Sequence, residues 1–181
     1  LKVKSKLLLS FTLFLSVFVL GACSKEESED ANKKVIQAVL ELQFDGPDEK
    51  FMSLIHDPQY TTIIEGSEVN PELDKYVQEE YGPYFTQFYV EAFLNTTGLI
   101  YPVTAYVSEY KLNLKDVVIE KFKDITNRYT FIATVGYQQE GEEEKIADVS
   151  GSVLFSTDEK GKIGKLEYED DNGLLAELNK Q

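Results

Sequence analysis

Two side chains in this chain are rare enough to suggest chemistry: one thiol and one imidazole. Cys23 is the only cysteine among 181 residues, and His56 is the only histidine. A lone thiol cannot close an internal disulfide, so there is no disulfide framework. It can still act as a nucleophile or carry a covalent group, because sulfur is far more nucleophilic than a hydroxyl in the same place. His56 adjoins Asp57, but neighbours at a helix end need not converge, and the pair reads as a solvated loop with no catalytic role. The chain has no H-E-x-x-H motif, cysteine pair or histidine cluster to supply a zinc ligand set. It also lacks a G-x-S-x-G nucleophile elbow, and Gly161-Lys162-Ile163-Gly164 reads as a hairpin turn, not a phosphate loop. Asp170, Asp171 and Asn172 before Gly173 lack the alternating oxygen ligands and closing Glu of an EF-hand. Glu140, Glu142, Glu143 and Glu144 read as a solvated acidic turn. No catalytic residue, metal site or cofactor is expected.

The setting of Cys23 is more specific. Lys2, Lys4 and Lys6 precede an apolar stretch from Leu7 to Leu20, broken only by Ser10, Thr12 and Ser16, and the small residues Gly21 and Ala22 follow. A basic start, an apolar core and a small-residue junction form a secretory signal. Leu20-Gly21-Ala22-Cys23 resembles the lipobox of bacterial lipoproteins at all four positions. That resemblance implies cleavage between Ala22 and Cys23, a diacylated Cys23 thiol as the new N-terminus, and a domain anchored to the cell membrane on its extracytoplasmic side. The expected organisation is a signal peptide over 1–22, a lipidated cysteine with a flexible acidic tether over 23–33, and one domain over 34–181. The tether follows from residues 24–34, which carry Glu26, Glu27, Glu29 and Asp30 and no large apolar side chain to offset the entropy of ordering.

Charge narrows the partners. The chain has 18 basic and 32 acidic residues, a formal net charge of −14, and Arg128 is its only arginine. Cleavage at the junction would remove three lysines and no acidic residue. Nucleic-acid binding relies on Lys and Arg neutralising phosphates, so that class is excluded. A domain this acidic is also repelled by anionic lipid surfaces. The membrane link therefore rests on the acyl chains, and two of these hold a domain stably where one does not. Lysine in preference to arginine, the lipobox and the single cysteine together resemble small lipoproteins of Gram-positive bacteria that carry one domain of unknown function.

The elements follow from periodicity. Val35, Ile36, Val39, Leu40, Leu42 and Phe44 predict a helix from about Asn32 to Phe44, stopped by Asp45-Gly46-Pro47. Asp48 is a predicted N-cap for a short helix burying Phe51, Met52, Leu54 and Ile55. A small β excursion at 60–64 turns at Gly66-Ser67, and Asn70-Pro71-Glu72 opens a helix burying Leu73, Tyr76, Val77 and Tyr81. Gly82-Pro83 breaks it, and a further helix is predicted through Tyr84, Phe85, Phe88, Tyr89, Ala92 and Phe93. From Leu99 the period changes to 2. The predicted strands are 101–114, 117–123, 129–138, 146–157 and 163–168, joined by hairpin loops, with a helical fragment at Leu174, Leu175 and Leu178.

Helices followed by antiparallel strands, each with one apolar face, predict an α+β domain whose N-terminal helices pack on a curved antiparallel sheet. The order of elements over about 32–170 resembles the nuclear transport factor 2-like superfamily, with a cystatin-like layout as the alternative. The resemblance implies a cone with a cavity between sheet and helices. Tyrosine carries an apolar body and a hydroxyl that needs a partner, so it serves both cores and binding surfaces. Tyr84, Phe88, Tyr89 and Tyr106 are the candidate lining of a pocket. The expected function is a non-enzymatic binding or interaction module contacting an envelope protein or a small ligand. The alternative is an enzyme or small-molecule binder that uses a polar cavity of the cone.

Overall fold

The computed structural model describes residues 20–180, with side chains from Glu29 onward. The signal segment lies almost wholly outside the described residues, and of Leu20, Gly21, Ala22 and Cys23 only the backbone is described. The described residues fall into two units, divided between Lys34 and Val35. In the first, the described backbone is helical from Leu20, as part of α1 (Leu20–Phe44). Residues 23–33, predicted as a flexible tether, are therefore helical here. Their Glu, Lys and Ala content favours helix, and Lys33 Nζ lies 3.5 Å from Glu29 Oε1 one turn away. Among the described residues no helix is long and apolar enough to cross a membrane.

The second unit is a mixed domain of helices and one antiparallel sheet. Ile36, Val39, Leu40 and Phe44 form the buried face of α1. The helix stops at Gly46, whose N–H and C=O pair with the C=O and N–H of Leu112 at 3.2 and 2.6 Å. α2 (Glu49–His56) begins at Asp48, whose Oδ1 accepts from Phe51 N at 2.8 Å. α3 (Pro71–Glu80) begins at Asn70, whose Oδ1 accepts from Leu73 N at 2.9 Å. Between them a two-stranded ribbon, β1 (Thr62–Ile64) and β2 (Ser67–Val69), turns through Glu65 and Gly66 at positive φ. α4 (Gln87–Phe93) continues into a π-helical turn, Leu94–Gly98, then α5 (Ile100–Val107).

Two expectations fail in this region. Residues 101–107, predicted as the start of a strand, form α5. Pro102 is the third residue of that helix, where backbone N–H groups have no intrahelical acceptor and a proline costs nothing. The buried residues Tyr101 and Ala105 are four apart, a helical spacing hidden inside the alternating Val103, Ala105 and Val107. Phe88, predicted on a helical stripe with Phe85 and Tyr89 and as part of a pocket lining, is 93 % exposed. Phe85 is held in an isolated parallel bridge to Ile163, so α4 starts afresh at Gln87 and buries Val90 and Phe93 instead.

The sheet is an antiparallel meander in the order β3-β4-β5-β6, comprising β3 (Tyr110–Lys121), β4 (Arg128–Gln139), β5 (Lys145–Phe155) and β6 (Ile163–Asp170). The two strands predicted at 101–114 and 117–123 are one strand with a register shift between Leu114 and Asp116. Two more shifts interrupt the β5–β6 pairing, at Ser150/Gly151 and Leu154/Phe155; such irregularities bend and twist strands. Tyr129, Phe131, Ala133, Val135 and Tyr137 alternate into the core from β4, as predicted, and Ala147, Val149, Val153 and Phe155 do so from β5. The opposite face carries the exposed residues Val118, Ile132 and Leu154. α6 (Leu174–Leu178) closes the unit with Leu174 and Leu178 buried.

Candidate functional site

The space between helices and sheet is filled by aromatic side chains. Phe44 meets Tyr101 at 5.0 Å and Tyr168 at 5.9 Å between ring centroids, and Tyr168 also meets Phe131 edge-on at 6.1 Å. Phe85 stacks on Phe93 at 4.6 Å and contacts Tyr81 and Tyr89. The hydroxyls inside this cluster have partners in the protein. Tyr168 donates to Gln43 Oε1 at 3.3 Å, and Gln43 Nε2 donates to the Tyr81 hydroxyl at 3.4 Å. Tyr101 donates to Asp171 Oδ2 at 3.2 Å, and Tyr76 to Asp48 Oδ2 at 2.9 Å.

Burial pushes all four of these phenols well above the usual tyrosine range. For Tyr76 and Tyr101 the partner carboxylates, Asp48 and Asp171, raise them further. For Tyr81 the Asp48 charge adds to burial, while the hydrogen bond from Gln43 pulls the other way. These groups stay protonated at neutral pH and serve as packing with satisfied hydroxyls. The buried polar side chains of the described residues are Gln43, Thr86 and Ser152; no carboxylate is among them.

The four residues predicted to line a pocket do not converge. Tyr84 is half-buried, and its carbonyl accepts from Ile163 N at 2.7 Å. Tyr89 is hydrogen-bonded through its hydroxyl to both backbone groups of Leu166. Phe88 stands in solvent beside a shallow cleft that includes Asn127 and Thr157. Tyr106, on α5, stacks on His56 at 5.5 Å with 9° between the rings, and faces a separate cleft of about 460 Å³ with Glu49, Glu109 and Tyr110.

The remaining sequence candidates are occupied locally. Asp57 accepts from Gln59 N at 3.0 Å and Gln59 Nε2 at 2.6 Å. Asp170 Oδ1 accepts from Asn172 N, and Asp171 accepts from Gly173 N and Leu175 N, so both carboxylates hold the turn into α6. Glu144 pairs with Lys115 at 2.7 Å.

The site that sequence reasoning missed lies among the helices. A groove of about 460 Å³ runs between α2, α3 and α4. Its floor is apolar: Phe51 and Ile55 from α2, Leu73 and Val77 from α3, Leu94 and Leu99 from the π-helical segment and its C-terminal end. Its rim is polar, with Asp74 and Gln78 on α3 facing Glu91 and Asn95 on the opposite wall. The four-residue spacing of Phe51/Ile55, Leu73/Val77, Asp74/Gln78 and Glu91/Asn95 stacks each pair on one helix face. The apolar pairs were legible as buried faces, but nothing in the sequence marked the gap between them. An apolar trough with carboxylates at its rim suits an apolar group flanked by cations. The chain matches no family model, no curated protein and no solved structure.

Proposed function

We propose that this chain is a lipid-anchored, extracytoplasmic binding module without a catalytic role. The Leu20-Gly21-Ala22-Cys23 junction supplies the anchor, with the acyl chains on Cys23 holding the domain at the membrane. The domain is a nuclear transport factor 2-like cone: two helices, a β-ribbon, further helices and then a four-stranded meander follow that order of elements. The ribbon stands apart from the main sheet here, and α5 takes the place of a strand.

One observation carries the non-catalytic reading. The cavity that an enzyme of this architecture would use is occupied by Phe44, Tyr81, Tyr101, Phe131 and Tyr168, with hydroxyls partnered to the protein itself. Binding then falls to the surface, where the helical groove and the Tyr106 cleft are two of the concavities.

Replacing Cys23 with Ala tests the anchor. The variant is expected in the non-membrane fraction or retained as uncleaved precursor. A variant that remains membrane-bound with its signal fully removed would overturn the reading.

A further inference from the structure

The helical groove carries two independent marks of a binding site. The first is uncompensated charge. Asp74 and Glu91 stand on opposite walls above an apolar floor, and among the described residues neither carboxylate has an ion-pair or side-chain hydrogen-bond partner. The neighbouring lysine on α3, Lys75, is turned to Glu79 at 3.8 Å. The whole chain carries −14, so the field over this trough favours cations and repels anions.

The second mark is the π-helical turn Leu94–Gly98. Such turns are rare and concentrate at functional sites. Within this one Thr97 Oγ1 is buried without a hydrogen-bond partner, the one such side-chain atom among the described residues. Gly98 lies so close under the Phe93 ring that a Cβ would sit 2.6 Å from Cε1. One extra residue in a helical turn rotates everything after it by about 100° relative to a regular α-helix. The widened turn thus sets where Leu99 faces after Leu94 and Asn95, and all three line the groove.

We infer that the groove binds a basic amphipathic helix of a partner protein. The inference rests on the binding-module reading above and names its partner class. Apolar side chains spaced three and four apart on the incoming helix fill the floor, and flanking Lys or Arg side chains reach Asp74 on one wall and Glu91 on the other. Two carboxylates across an apolar strip call for two cations separated by an apolar stretch, a pattern a polypeptide helix supplies. A single-headed cationic amphiphile satisfies only one of them.

The test uses the full chain and a short Leu/Lys peptide patterned as an amphipathic helix. Its comparators are the same composition in strict alternation and dodecyltrimethylammonium. The double variant Asp74→Asn/Glu91→Gln weakens the helical peptide about ten-fold, as the loss of two rim ion pairs implies. The charge-matched Glu142→Gln/Glu143→Gln on the β4–β5 loop changes affinity less than about two-fold, and Leu73→Gln weakens binding with no change in charge. All five substitutions are at exposed or half-buried sites, and circular dichroism verifies the fold of each variant. Equal losses at both acidic pairs, equal binding of the alternating peptide, or equal competition by the amphiphile would overturn the inference. Photo-crosslinkers at Gln78, Asn95, Phe88 and Ile132 in cells separate this failure from that of the broader reading. Adducts from Phe88 or Ile132 alone defeat the groove and leave the module standing, whereas no adduct at any site defeats both.

Discussion

The Tyr89 hydroxyl donates to the carbonyl of Leu166 at 2.9 Å and accepts from its N–H at 3.0 Å, so one side chain from α4 occupies both backbone groups of a residue on the edge strand β6. An open edge is a template for pairing with another chain. Here Tyr89 acts with the Phe85–Ile163 bridge to close it. Tyr89→Phe keeps the ring and removes both bonds, with an expected loss of about 1–3 kcal/mol for leaving the two groups unpartnered. Urea unfolding measures the loss and sedimentation any gain in self-association. A midpoint equal to wild type would show that water replaces the hydroxyl at no cost.

The buried phenols predict an alkaline limit to stability. Tyr76, Tyr81, Tyr101 and Tyr168 are all raised in the fold, chiefly by burial. A group whose folded value lies above its unfolded value of about 10 contributes fully below that pH and loses its contribution as pH rises through the folded value. Stability is therefore expected to be insensitive to these groups at neutral pH and to fall above about pH 10. Tyrosinate absorbance should rise in two stages, the second coinciding with loss of near-ultraviolet circular dichroism. A single smooth titration with the fold intact would contradict the packing described here.

Gly151 is a steric necessity. It lies opposite Phe131 in the β4–β5 register, where a Cβ would meet Phe131 Cζ at 2.5 Å and the Glu167 carbonyl at 2.3 Å. The carbonyl is backbone and cannot swing aside. Gly151→Ala is expected to cost at least about 1–3 kcal/mol as an overpacked core and to lower the melting temperature. An unchanged melting temperature would mean that β6 moves freely from β5.

Much of the fold was legible where a local rule and the tertiary environment agree. Asp48 and Asn70 cap the helices predicted for them, and the alternation from Tyr129 to Tyr137 matches the buried face of β4. Legibility failed where distant contacts reset the local phase. Phe88 fitted a helical stripe with Phe85 and Tyr89, but the bridge from Phe85 to Ile163 detaches that residue from the helix and turns Phe88 outward. Residues 101–107 carry both a two-residue and a four-residue pattern, and packing chose the second. The π-helical turn has no sequence signature at all, so the groove it shapes could not be foreseen.

The central claim, a binding module tethered through Cys23, is tested most directly by the intact mass of the chain extracted from membranes in detergent. The expected species is a polypeptide that begins at Cys23 and carries a thioether-linked diacylglyceryl group. A membrane-extracted chain with an unmodified Cys23, or one that retains the residues before it, would contradict it.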